Sequence, residues 1–312
     1  MADLALVAIM AIWGSSFAVL RFFFGGSGAP QLASPLLLLT ARMGIASALL
    51  AAYLASSREG RAQLRALVSP RALQRGSLLR DGLLCGALLA AGFLLQGEGL
   101  QRTTASRSGF FTGLLVVLTP LLELLLFRKR PAPAALLGIL LAFAGMALLA
   151  GATGPGGETA SATAVGDALT VGCALVFAGH ILALGRVAGR HPVLPLLLVQ
   201  LSVVAVVAAV VGPLVERPRL ATDPRLWAAI CYLAVFATLL CLGVQTWAQR
   251  KVSPVRVALI SSLEPVFAAL WAAALLGEQL ALREKLGGTL IVLGVAVGEA
   301  GTALLSRARA AS

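Results

Sequence analysis

The chain carries little charge. Of its 312 residues only 12% are Asp, Glu, Lys or Arg, where a soluble protein of this size carries roughly 25%. Two soluble domains would fit the length but not this composition. There are two histidines, His180 and His191, with no HExxH spacing, and there is no Walker A sequence. Zinc-protease chemistry and ATP-driven transport therefore have no motif here. Asp3, Asp81, Asp167 and Asp223 fall at span ends or in loops, so no aspartyl pair is expected at membrane depth. No Ser/His pairing is evident either. An enzyme is not expected, nor is any cofactor. The four cysteines, Cys85, Cys173, Cys231 and Cys241, lie in apolar runs without CxxC spacing. Neither a disulfide framework nor a metal site is indicated, and buried apolar fillers are expected.

What is present is apolar sequence. Hydrophobic residues make up 59% of the chain, and the mean hydropathy is +0.94. The first apolar run, Leu4 to Phe24, lacks the cleavage site of a signal peptide and reads as a first membrane helix. Further runs recur with short polar breaks, which predicts an all-α integral membrane protein. Ten transmembrane helices are expected, over 4–23, 32–55, 82–101, 105–127, 134–151, 166–187, 193–213, 226–249, 254–276 and 285–305. The least distinct break is the third, where only Arg102 to Thr104 intervene.

The net charge of +12 invites a nucleic-acid reading, but the excess sits in short loops between spans. It reads as the positive-inside bias instead, and no nucleic-acid partner is expected. With the N-terminus inside, the cytoplasmic loops hold sixteen Lys and Arg and the outer loops seven. This predicts a multi-pass protein of the plasma (inner) membrane with both termini cytoplasmic. The loop from Arg58 to Arg80, with Leu64, Leu67 and Val68 among its arginines, is expected on the anionic lipid surface.

The two halves match at an offset of 149 residues. Gln96 falls on Gln245, Arg102 on Lys251, Thr104 on Ser253, Arg107 on Arg256, Thr112 on Ser261 and Gly113 on Ser262. Gly138 falls on Gly287 and Gly145 on Gly294. At a slightly different offset Asp3 falls on Asp167 and Trp13 on Phe177. Five spans thus look duplicated. Five is odd, so the second copy must lie upside down. Inverted repeats are the architecture of many secondary transporters, with the binding site between the copies. The expected units are a first repeat at 1–151, a Gly-rich linker at 152–165, a second repeat at 166–305 and a cytoplasmic tail at 306–312.

In its motifs the chain resembles the EamA-like transporters of the drug/metabolite transporter superfamily. The resemblance covers nearly the whole chain. It rests on Trp13-Gly14-Ser15-Ser16-Phe17, Arg42, Gly92-Phe93-Leu94-Leu95-Gln96, Thr104-Ala105-Ser106-Arg107-Ser108-Gly109-Phe110 and Leu118-Thr119-Pro120. The second half matches at Ser262-Leu263-Glu264-Pro265-Val266 and Gly277-Glu278. The resemblance implies ten helices in two inverted five-helix repeats and transport of a small metabolite. One departure is that Pro120 sits one turn later than Pro265 in the repeat register.

The leading site candidate is Glu264, a carboxylate beside a proline near mid-span. Such an acid is costly in a bilayer and marks function by default. It either binds a cationic group or a proton, or it is a structural glutamate hydrogen-bonded to a neighbouring helix. Ser261 and Trp271 share its face. Arg42, near the middle of its span, must pair with an acid or with carbonyls, or open to water. Glu264 and Glu123 are its candidate partners, and a substrate carboxylate is the alternative. Gln96 and Gln245 are repeat mates that either contact substrate or pack helices. Trp13 with Gly14 and Ser15 offers pocket lining or close helix packing. Thr112 belongs to a polar stripe with Ser108, Thr119 and Glu123, and interhelical hydrogen bonding is the simpler role. Thr238, Cys241, Gln245 and Gln249 form a second stripe. Glu123 is expected to pair with Arg128–Arg130. His180 is either titratable at the site or a packed hydrogen-bonding residue. The GxxxG patterns Gly82–Gly86 and Gly294–Gly298 permit close contact within a protomer or across a homodimer.

The expected function is secondary transport of a small metabolite (amino-acid-like or related), outward, by alternating access with proton coupling. The partners are then the small-molecule substrate and the lipid bilayer. The alternative is a non-transporting membrane scaffold or receptor, in which polar membrane residues can be replaced without loss.

Overall fold

The structure is a computed structural model that describes residues 1–23, 32–69, 71–74, 76–103, 105–150, 164–217, 219–276 and 279–311. The expected linker at 152–165 falls outside these residues except for its last two, which open a helix. Thr104, Gly277 and Glu278 also fall outside.

The described chain is helical throughout. The helices are α1 (Ala2–Phe23), α2 (Pro35–Ser56), α3 (Arg58–Leu67), α4 (Leu78–Leu100), α5 (Ala105–Gly113), α6 (Leu115–Phe127), α7 (Pro133–Ala150), α8 (Ala164–Val187) and α9 (Val193–Val215). There follow α10 (Pro224–Tyr232), a π-helical segment (Leu233–Leu240), α11 (Cys241–Ala248), α12 (Pro254–Ser261), α13 (Glu264–Leu276) and α14 (Leu282–Ala311). The only extended pairing among the described residues is one bridge between Ala33 and Leu220. Seven helical stretches are long and apolar enough to cross a bilayer, and Ala2–Ser16 and Pro133–Leu149 are apolar but shorter. Large side chains stay exposed along the flanks, among them Leu125, Leu140, Val210, Leu275 and Leu293. A surface of that kind is stable only against lipid. The protein is a multi-pass membrane protein.

Helix starts follow local chemistry. Proline opens α2, α10 and α12, where its missing N–H is no loss. Asp223 and Ser253 cap α10 and α12 through their side chains. The start of α2 is capped from afar: Glu216 Oε1 accepts from the amides of Leu36 at 2.9 Å and Leu37 at 3.0 Å.

Two spans are broken. One is interrupted at Leu114, between α5 and α6, and the other at Ser262–Leu263, between α12 and α13. At the offset of 149, α6 falls on α13 from end to end. The α12/α13 break has a local cause, because Pro265 removes the hydrogen bond that would close the turn. The Ser261 hydroxyl donates to Val257 O at 2.8 Å and the Ser262 hydroxyl to Leu259 O at 2.6 Å. Side chains thus serve carbonyls near the interruption.

The closest helix contacts run through glycine. A Cβ on Gly138 would lie 2.4 Å from Gly294 O, and one on Gly294 would lie 2.5 Å from Gly138 O. Gly145 and Gly287 meet in the same way, at 2.5 and 2.6 Å. These contacts seat α7 on α14. Gly82 and Gly86 press on Val199 and Val203 of α9. Both GxxxG patterns are therefore used inside the protomer.

Ion pairs tie the ends of the bundle. Arg256 of α12 pairs with Glu299 of α14 through two nitrogens, one of them at 3.0 Å, and with Asp3 of α1 at 3.2 Å. His191 meets Asp81 at 2.8 Å, joining the α8–α9 turn to α4. The amphipathic α3 turns Leu64 toward a buried cluster of the bundle, while Arg58, Arg61 and Arg65 stay exposed. Cys85, Cys173 and Cys241 are buried as expected, but Cys231 is exposed on the outer flank of α10. Its run is apolar because it faces lipid rather than core, a distinction that hydrophobicity alone does not make.

Candidate functional site

Trp13 stands at the junction of the molecule. It packs against three buried clusters. The first surrounds the α12/α13 break and includes Ile9, Cys241, Ile260 and Leu263. The second includes Leu39 and Met43 of α2, with Phe93 and Phe177 against them. The third joins α2 to the π segment through Leu38, Leu233 and Ala237.

The short motif around Trp13 makes this junction. The Trp13 indole N–H donates to Ala237 O at 2.6 Å. Ala237 lies within the π segment, where the wider turn alters which carbonyls the helix satisfies internally. Gly14 lies against α13, and a Cβ there would come 2.7 Å from Ala268 N. The Ser15 hydroxyl shares a 2.6 Å hydrogen bond with the Tyr232 hydroxyl. From the α13 side, Trp271 donates its indole N–H to Ala11 O at 2.9 Å. Three consecutive residues of α1 thus fix three helical neighbours.

Two mid-span charges flank Trp13's clusters. Glu264 is half-buried at the first position of α13. Among the described residues its carboxylate has no hydrogen-bond or ion-pair partner. The reading of Glu264 as a glutamate held by a neighbouring helix therefore finds no partner here. Arg42, half-buried on α2, rests its guanidinium over Phe93, 5.1 Å from the ring centre. Its Nε is buried with no hydrogen-bond partner. Neither candidate partner, Glu264 or Glu123, forms an ion pair with it among the described residues. A cation–π contact in a desolvated setting supplies about 2 kcal/mol. Placing Arg at membrane depth costs about 2.5–3.5 kcal/mol on insertion scales. The ring alone does not balance the charge.

The other candidates divide. Ser261 is engaged by the backbone of its own helix, as described above. The Thr112 hydroxyl is buried beside the Cys173 thiol. Gln245 is buried on α11 and Gln96 half-buried on α4. Their stripe mate Gln249 donates to Ile181 O at 2.9 Å, and Cys241 to Ile9 O at 3.7 Å, so this stripe partly serves helix packing. His180 is buried and paired with Gln200 Oε1 at 2.9 Å, between α8 and α9. It is a packed hydrogen-bonding residue. Glu123 forms no ion pair with Arg128–Arg130 among the described residues. Instead Arg186 stacks on Phe127 at 3.2 Å.

Phe177, Tyr232 and Gln200 escaped the candidate set. Phe177 had a signal, because it is the match of Trp13 in the second half. A Cβ on Gly92 would come 2.2 Å from the Phe177 ring, which sits edge-on to Phe93 at 5.4 Å and 79°. Tyr232 and Gln200 had none, since each matters only through a contact more than a helix away.

A model of the EamA-like transporter family matches residues 1–151 and 164–297. The chain belongs to the EamA-like transporter family. An uncharacterized transporter of Archaeoglobus fulgidus is 28% identical over 298 residues, covering 95% of this chain and 85% of that protein. A crystal structure of another protein superposes with a TM-score of 0.76 at 21% identity, covering 97% of each chain. At that identity the likeness speaks for the fold. The EamA family fits an apolar helical bundle of this kind, and its members are membrane transporters.

Proposed function

We propose that this EamA protein is a secondary transporter that moves a small metabolite outward by alternating access, with protons coupled through Glu264. The observation that carries this reading is the unpartnered carboxylate at the α12/α13 break, beside the Trp13 junction. A helix interrupted at membrane depth exposes backbone groups and a charge only where protein or a watery cavity can serve them. Glu264 can then hold a proton on one side and release it on the other.

Ten spans in two inverted five-helix repeats are part of the proposal, as are both termini in the cytoplasm. The reciprocal contacts Gly138·Gly294 and Gly145·Gly287 support it. The glycines matched in sequence are Gly138 with Gly287 and Gly145 with Gly294. Each therefore touches the mate of the other, which is what a two-fold relation between α7 and α14 requires. The Asp3–Arg256–Glu299 cluster brings the start of α1 beside the later part of α14, in keeping with termini on one side.

The test has two arms. Metabolites inside and outside cells are compared with and without the gene, and the compound that moves is then loaded into proteoliposomes. Glu264→Gln should fold and lose proton-driven flux. Unchanged flux with unchanged pH dependence removes Glu264 from the mechanism. No metabolite moving under broad conditions supports a scaffold instead.

A further inference from the structure

Arg42 is a half-buried cation for which no carboxylate among the described residues supplies a counter-charge. Other carboxylates of the described residues have other work. Glu98 is paired with Arg102 and Glu216 caps α2. Asp167 accepts from Thr103 at 2.7 Å, and Asp81 is held by His191. Glu264 makes no ion pair to Arg42. Yet the guanidinium is not loosely placed. Phe93 lies beneath it, Phe177 braces Phe93 edge-on, and Gly92 lets the Phe177 ring sit against the α4 backbone. This shelf joins α2, α4 and α8, which belong to different halves of the chain, and Trp13 packs against the same cluster. An arginine held by its face keeps its N–H edges, a planar fork that matches a carboxylate. A lysine would need no such shelf.

We propose that Arg42, braced on Phe93 and Phe177, receives a carboxylate of the transported substrate. The cargo is then an organic acid with a flat or apolar body, not a cation or a neutral amphiphile. This deepens the transport reading and rests on it for the word cargo, but the binding step stands by itself.

The test uses the full-length protein purified in detergent. The probes are benzoate, phenylacetate and 4-phenylbutyrate, each beside its amide, with benzylammonium as the cationic control. Binding is read by thermal stabilisation and by tryptophan fluorescence. At least one acid should bind saturably and its amide should not. Arg42→Gln should weaken that acid by about tenfold or more, and Arg42→Lys by less. The proposal is overturned if no acid binds better than its amide, or if Arg42→Gln binds the acid as the wild type does. If Arg42→Gln does not fold, Arg42→Lys and Phe93→Leu decide: both must lose affinity for the acid, and unchanged affinity in either overturns the proposal. Failure of transport is separable. Acid binding without flux in proteoliposomes removes the transporter and leaves the receptor. Flux that Arg42→Gln preserves removes the receptor and leaves the transporter.

Discussion

Gly138 and Gly294 meet backbone to backbone, with no room for a Cβ on either. Two turns away, Gly145 and Gly287 repeat the contact. The obstacle in each case is a carbonyl oxygen, which cannot swing aside as a side-chain tip can. Gly138→Ala or Gly294→Ala should therefore push α7 off α14. The expected loss is about 1–3 kcal/mol, the range for overpacking. Gly44→Ala is the control, because a Cβ there meets nothing within 4 Å. The readout is the temperature at which half of the protein leaves the monodisperse peak in detergent. Equal temperatures for Gly138→Ala and Gly44→Ala would refute the packing argument.

Trp13 has two separable roles, a bulky ring among three clusters and an N–H for Ala237 O. Trp13→Phe removes the second and keeps much of the first. It should cost about 1 kcal/mol, or more if the carbonyl stays buried and unserved. Trp13→Ala removes both and should cost about 3–5 kcal/mol. Trp271→Phe makes a useful contrast, since its bond to Ala11 O lies at an exposed residue and should matter less. A Trp13→Phe protein as stable as wild type would show that the π segment does not depend on the indole.

Much of this was legible before the structure. The helical class, the membrane setting and the placement of Trp13, Arg42 and Glu264 follow from hydrophobic runs broken by costly residues. The use of glycine at Gly138, Gly145, Gly287 and Gly294 was visible as matched positions, though which glycine touches which was not. Partners were the illegible part. His180 could be read as titratable or as packed, and only the structure supplies Gln200 as its partner; Arg42 could be read as meeting an acid, carbonyls, water or substrate, and no acid pairs with it among the described residues. Cys231 looked buried because an apolar run does not say whether it faces lipid or protein. Side-chain pairing across helices depends on rotation and crossing angle, and neither is written in a hydropathy pattern.

The His180–Gln200 pair offers a clean test of structure against mechanism. Both residues are buried, and Gln200 also donates to Leu196 O at 3.3 Å. His180→Leu leaves Gln200 Oε1 without its partner, which should cost about 1–3 kcal/mol. Flux per folded molecule should hold, and its pH profile should not move between His180→Gln and wild type. A shifted profile in His180→Gln would make the imidazole a proton carrier and displace Glu264 as the sole candidate.

Arg256 links α1, α12 and α14 through Asp3 and Glu299. Its side chain is 28% exposed, so the cluster contributes modestly to stability. Its placement matters more than its energy. It clasps the start of α1 against helices that lead to the α12/α13 break. If alternating access requires α1 to part from α12, the clasp must open in one half of the cycle. Arg256→Gln should then favour the opened state. Cys241 reports on it, because its thiol is buried between α11 and Ile9 of α1. In a protein whose other three cysteines are alanine, Arg256→Gln should raise the rate at which a membrane-impermeant maleimide labels Cys241 from the side on which α1 begins. Arg256→Lys keeps the charge but loses the fork, so it should lie between. Labelling that stays slow in both variants would mean that the ion cluster is not what closes this end of the bundle.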